Sequence, residues 1–113
     1  MGITIRRDSF VDEASAIALV ESLGCTAYPA DRGATETGLH WHDFDQAAAI
    51  VRGRFELTDG ESGETFVLES GSLFELTDRA VHADTHGPYR VVFGFTSDPL
   101  AFEHPISRDP LDR

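Results

Sequence analysis

The chain contains no lysine. All nine of its basic residues are arginines, set against 20 aspartates and glutamates, for a formal net charge of −11. Such a chain offers no cationic face for a nucleic-acid backbone or an anionic membrane, so neither is expected as a partner. The negative charge favours solubility, and a GC-rich or salt-adapted source produces the same composition. Cysteine is nearly missing as well. Cys25 stands alone, which excludes an intrachain disulfide and a cysteine-based zinc site. A small, buried apolar role is expected for it. No apolar run approaches the roughly 18 residues that suggest a membrane span. The opening "MGITIRRDSF" has basic residues but no apolar stretch behind them. No signal peptide is therefore expected, and a cytoplasmic location is the default expectation.

What is present suits a small folded protein. The 113 residues fit one compact domain, and a hydrophobic content of 41% is enough for a core. Within that domain, residues 1–37 read as a strand, a helix and a lead-in, 38–98 as the main body, and 99–113 as a tail. The alternation in "ITIRR" (Ile3–Arg7) predicts a first strand. "DSFVDEASAIALVESLG" predicts a helix capped by Asp8 or Ser9, with Asp12 and Glu13 in its first turn. Its apolar stripe is Ala16, Ile17, Val20 and Leu23, and Gly24 ends it. "CTAYPADRGATETG" predicts a strand that gives way to a loop. From Leu39 onward strand follows strand: "LHWHDFD", "QAAAIVRG", two strands around the turn "DGESGE", then "GSLFELTD", "RAVHADTHG" and "PYRVVFGFTS". Short strands at close spacing predict an all-β barrel or sandwich, with the helix packed outside or closing one end. The tail holds three of the five prolines and should be extended or loosely tied down.

Histidine is where the chemistry concentrates. His40 and His42 lie one residue apart, so on a strand they share a face about 6.7 Å apart. Their rings can converge on one ion at about 2.0–2.1 Å per nitrogen. Counting on by two places Phe44, Gln46, Ala48 and Ile50 on the same face, and leaves Asp43 and Asp45 on the other. His82 begins a second such set with Asp84 and His86. A histidine pair can also sit on a solvated strand face. Here the flanking residues are apolar and place the face against a core, where unpaired imidazoles are costly.

Taken together, these positions resemble the cupins. The first cupin motif is a glycine, then His-x-His, three or four residues, a glutamate, six residues and a glycine. This chain has Gly33, His40-Trp41-His42, three residues, Gln46, six residues and Gly53. The leading glycine is one residue out, and Gln46 stands where the glutamate would be. The second motif is G-x5-P-x-G-x2-H-x3-N, against which this chain has Gly71, Thr77, Arg79, His82 and His86. Gly71 and His82 match, while the "TDR" turn and His86 depart. The resemblance implies a double-stranded β-helix, or jelly-roll barrel, with one short N-terminal helix. It also implies one divalent transition metal (Fe, Mn, Ni, Cu or Zn), held by His40, His42 and His82 with Gln46 in the fourth place. Losing the glutamate should weaken metal affinity and leave a stronger Lewis acid.

His86 can orient a ligand, bind the ion itself, or sit at the barrel rim, and Asp84 can orient an imidazole or add a ligand. His104, in the tail, reads as a surface residue. Ala48 is small and in register with the ligands, and with Ile50 and Arg52 it is a candidate wall of a substrate pocket. Arg52 could meet a carboxylate there or simply be solvated. Phe44, Phe66, Leu68, Phe74, Leu76, Val92 and Phe93 are candidates for lining or core. The resemblance admits a metal-dependent dioxygenase of a small chelating organic substrate, isomerase or lyase chemistry, and a non-catalytic binding or regulatory protein. Ala47, Ala49 and Val51 give their strand an apolar outer face. A homodimer, or an outer layer within the chain, would cover it.

Overall fold

The computed structural model describes residues 2–96 and 109–110. Most of the expected tail, His104 included, lies outside the described residues. The elements are β1 (Ile3–Arg6), α1 (Glu13–Ser22), β2 (Thr26–Arg32), β3 (Thr35–Glu36), β4 (Gln46–Arg52), β5 (Phe55–Asp59), β6 (Thr65–Leu68), β7 (Leu73–Leu76), β8 (His82–His86) and β9 (Tyr89–Phe95). The strands form two antiparallel sheets, one ordered β1-β7-β4-β9-β2 and the other β3-β8-β5-β6. This is the expected all-β jelly roll with one short helix. Pro29 sits in β2, at the edge of its sheet, where a missing N–H is tolerated. No described helix is long and apolar enough to cross a membrane.

β4 explains why "QAAAIVR" is apolar throughout. Its alternate side chains Ala48 and Ile50 point between the sheets, where they meet Phe55, Leu57, Leu68, Phe74, Leu76 and Val91. Ala49 points the other way and packs with Leu73 and Val92 under Ala16 and Val20 of α1, with Val51 at the margin. The helix therefore covers Ala49 and Val51 from within the chain. Leu73 and Val92 lie in this outer cluster and Leu68 between the sheets. Cys25 is half-buried beside them, and burial pushes its thiol up.

The helix begins later than its sequence suggests. Asp12 is the cap: its side chain accepts from the Ser15 amide at 2.8 Å, while the Ser15 hydroxyl accepts from the Asp12 amide at 3.0 Å. This reciprocal pair outcompetes the single cap that Asp8 or Ser9 would give. Asp8 instead adopts a positive φ of 50°, in a turn before the helix. On the sheet side Gly94 allows the close approach. A Cβ there would lie 2.5 Å from Val20 Cγ1 and 3.0 Å from Cys25 Cβ. A Gly94→Ala change should therefore push α1 off the sheet and cost about 1–3 kcal/mol, read as a lowered urea midpoint. A midpoint equal to wild type would show the helix to be loosely held.

Two turn positions account for parts of the cupin-like pattern. Gly53 has φ +101°, and a Cβ on it would meet Tyr89 Cβ at 2.8 Å, so no other residue fits. The "TDR" turn keeps the left-handed shape without a glycine: Asp78 and Arg79 have φ 56° and 55°. Arg79 gains a contact that glycine could not make, its guanidinium lying 5.3 Å from the Trp41 ring centre. Trp41 is buried and donates to the Asp109 carbonyl at 2.9 Å.

Candidate metal centre

His40 and His82 face each other across the barrel rim. Each donates its amide to the other's carbonyl at 2.9 Å, forming an isolated antiparallel bridge. The strand expected for "LHWHDFD" is interrupted here. The chain bends at Asp43 and Phe44, and β4 starts only at Gln46. The bend turns Phe44 inward to stack on His42, with ring centres 4.9 Å apart and planes at 17°. His42 thereby joins His40 and His82. One nitrogen from each of the three rings lies within 4.8 Å of the other two.

The geometry fixes which nitrogens are available. His40 Nδ1 lies 2.8 Å from the Gly38 carbonyl, and His82 Nδ1 lies 2.8 Å from the Ala80 carbonyl. A carbonyl oxygen only accepts, so each Nδ1 must carry the hydrogen. In the neutral rings each Nε2 is then left with a lone pair. His82 is fully buried, and its Nε2 has no hydrogen-bond partner among the described residues. Burial pushes the His82 imidazole down to about 4; the Ala80 hydrogen bond opposes this and the charge on His40 adds to it. His82 is therefore neutral at ordinary pH. An orphaned lone pair in a dry position is costly unless a cation accepts it. Three converging imidazole nitrogens, one of them without a partner, fit a divalent transition metal.

Gln46 lines the same cavity of about 510 Å³, with His40, His42, Asp84 and His86. His86 stands apart from the three-nitrogen cluster. Its ring stacks on Phe55 at 5.3 Å, and its Nδ1 lies 2.9 Å from the Gly87 carbonyl. Asp84 has one carboxylate oxygen 3.6 Å from His40 Nε2 and the other 4.0 Å from His82 Nε2. Burial holds its carboxyl above the usual range, against the pull of His40, His42 and His86.

The three expected pocket residues lie elsewhere. Ala48 and Ile50 are in the core between the sheets. Ala48 is flanked in register by Phe74 and Phe93, whose rings occupy the room a small residue would leave and themselves face the cavity. Arg52 follows a register shift after Ile50, and is 74% exposed beside Asp31. The cavity wall is instead completed by Arg32, Thr35, Thr37 and Tyr89. These come from β2, β9 and the stretch around β3, and only sheet pairing, such as Arg32 opposite Tyr89, brings them together. Arg32 makes no ion pair among the described residues, and its guanidinium lies 5.2 Å from the Phe93 ring centre. Burial pushes the Tyr89 hydroxyl up, so it stays protonated.

Two face-to-face antiparallel sheets, with histidines from separate segments meeting at one rim, make this a cupin-fold protein. No model of a known family and no curated protein matches the sequence. Solved structures match the chain in fold. A DUF861 family protein from Thermotoga maritima aligns with a TM-score of 0.58 and 15% identity, over 82% of this chain and 98% of its own. Ectoine synthase from P. lautus aligns with a TM-score of 0.55 and 19% identity, over 83% of this chain and 63% of that longer one. The polyketide cyclase RemF from Streptomyces resistomycificus aligns with a TM-score of 0.55 and 16% identity, over 96% of this chain and 71% of its own. At these identities the likeness is one of fold.

Proposed function

We propose that the chain is a metal-dependent enzyme acting on a small organic acid that can chelate the ion, with dioxygenation as its reaction. The observation that carries this reading is the convergence of one nitrogen each from His40, His42 and His82 beside the cavity, with His82 Nε2 buried and without a hydrogen-bond partner among the described residues. Bound there, a divalent ion supplies Lewis acidity and, as Fe(II), a means of bringing O₂ to a substrate. The chain's own residues would do the rest. Arg32, a cation at the cavity wall without an ion pair among the described residues, suits a substrate carboxylate. Tyr89 offers a protonated hydroxyl, and Phe74 and Phe93 offer apolar walls that keep water from the reacting atoms.

A non-redox reaction is the second reading, because two structurally similar proteins are described as a synthase and a cyclase. Both readings can be tested on protein made without a histidine tag. Metal content by mass spectrometry should be one ion per chain, and O₂ uptake should follow addition of a chelating keto acid or diketone. Consumption of the substrate without O₂ uptake would favour the second reading. Thermal stabilisation by the ligand without turnover would instead mark a binding or regulatory protein. A His40→Ala/His42→Ala double variant that kept its metal would overturn the site itself.

A further inference from the structure

We propose that Asp84 supplies the anionic ligand missing at Gln46, so that the ion is held by His40, His42, His82 and a carboxylate carried on β8. This rests on the metal site proposed above and adds a ligand to it.

The argument starts from a conflict between acceptors. The Nε2 atoms of His40 and His82 present lone pairs, because both Nδ1 hydrogens are committed to backbone carbonyls. Facing them at 3.6 and 4.0 Å are the two oxygens of Asp84, which are also acceptors. The Asp84 side chain is only 21% exposed, and its carboxylate accepts no hydrogen bond among the described residues. Lone pairs turned toward one another in a sheltered site repel, and a cation between them reverses the sign. The backbone beneath Asp84 is held firmly. Thr37 grips the Asp84 backbone on both sides: its amide donates to the Asp84 carbonyl at 2.8 Å, and its hydroxyl accepts from the Asp84 amide at 3.0 Å. These bonds fix the strand position from which the Asp84 carboxylate reaches the histidines.

Charge points the same way. Three neutral imidazoles and an amide leave the full charge of a divalent ion uncompensated in a sheltered cavity. One carboxylate halves that charge, and it is a stronger donor than the Gln46 carbonyl for Fe, Mn or Zn. The strand period puts Asp84 on the same face as His82, two residues away, so β8 can deliver two ligands where β4 delivers an amide. A competing explanation is a protonated His40 paired with Asp84, with no role for the carboxylate in metal binding. The two make opposite predictions. If Asp84 only holds a proton on His40, removing its charge frees His40 and metal binding should tighten.

Cobalt(II) is a suitable probe, followed by calorimetry and by its visible absorption on the full chain stripped of metal. The Asp84→Asn variant should bind cobalt at least about tenfold more weakly than wild type and shift the absorption bands. Gln46→Ala should weaken cobalt binding less than Asp84→Asn does, because an amide is the weaker donor. Adding Gln46→Glu to Asp84→Asn should regain most of the lost affinity, because it returns a carboxylate to the first motif; this also shows that the single variant is folded. The metal-free Asp84→Asn protein should melt no lower than wild type, since it loses a repulsive contact. Cobalt binding that is equal or tighter in Asp84→Asn, and lost in His82→Ala, would overturn the role of Asp84 and leave the three-histidine site standing. Cobalt retained by His82→Ala would overturn the site and this inference together.

Discussion

A His82→Ala substitution should reduce bound metal from one ion per chain to none. It removes the one fully buried histidine, whose Nε2 has no partner among the described residues, from a cluster of three. Two histidines would remain, both reached from the cavity, and water competes for an ion held by so few protein donors. The effect can be read as stability. An ion that binds only the folded state adds about 2.7 kcal/mol when supplied at 100 times its dissociation constant. For a chain of this length that is a melting-temperature rise on the order of 10–20 °C. Wild type should show this rise and lose it on chelation, and His82→Ala should show neither. A His82→Ala protein stabilised by metal to the same degree would place the ion elsewhere.

Phe74→Ala should be the most damaging change outside the metal cluster. Phe74 is 2% exposed, packs against Phe55 with ring centres 5.1 Å apart and planes tilted by 32°, and sits opposite Ala48 in the register of β4 and β7. Removing a buried phenylalanine costs about 3–5 kcal/mol, and small domains carry roughly 5–15 kcal/mol in all. Ala48 is too small to fill the space, so the cost should lie at the upper end. Phe74 also faces the ligand cavity, so its loss joins that cavity to the core. A lowered urea midpoint with an unchanged slope would show this, and a loss below about 1 kcal/mol would mean that Phe93 collapses into the gap.

The parts of this protein that were legible in its sequence are those set by local spacing. Alternation revealed the strands, and the stripe Ala16, Ile17, Val20 and Leu23 is the face of α1 that meets the sheet. His40, His42 and His82 could be named because spacing along a strand and a resemblance at Gly53 and Gly71 agreed. What failed did so where the period breaks. The bend at Asp43 and Phe44 interrupts the strand on which the parity of Gln46 was counted, yet Gln46 still reaches the cavity because the chain resumes in phase. The register shift after Ile50 sends Arg52 to solvent by the same kind of slip, with the opposite outcome. Arg32, Thr35, Thr37 and Tyr89 left no signal at all. They are neighbours only through strand pairing, which no short window of sequence records. The cap on Asp12 could have been seen, since Asp12-x-x-Ser15 carries the reciprocal pairing with a serine in the place usually given to a longer side chain.

The bridge between His40 and His82 has one more consequence. From Thr37 to Asp45 the described chain forms no regular strand, and its ties to the β8 backbone are the two His40–His82 bonds and those made by Thr37. The stretch is anchored instead by side chains, with Trp41 and Phe44 both buried. Two of the three histidines ride on it, while the third is fixed in the wall. An ion held by all three histidines would therefore tie this stretch to β8 through side chains, where strand pairing supplies only the His40–His82 bridge.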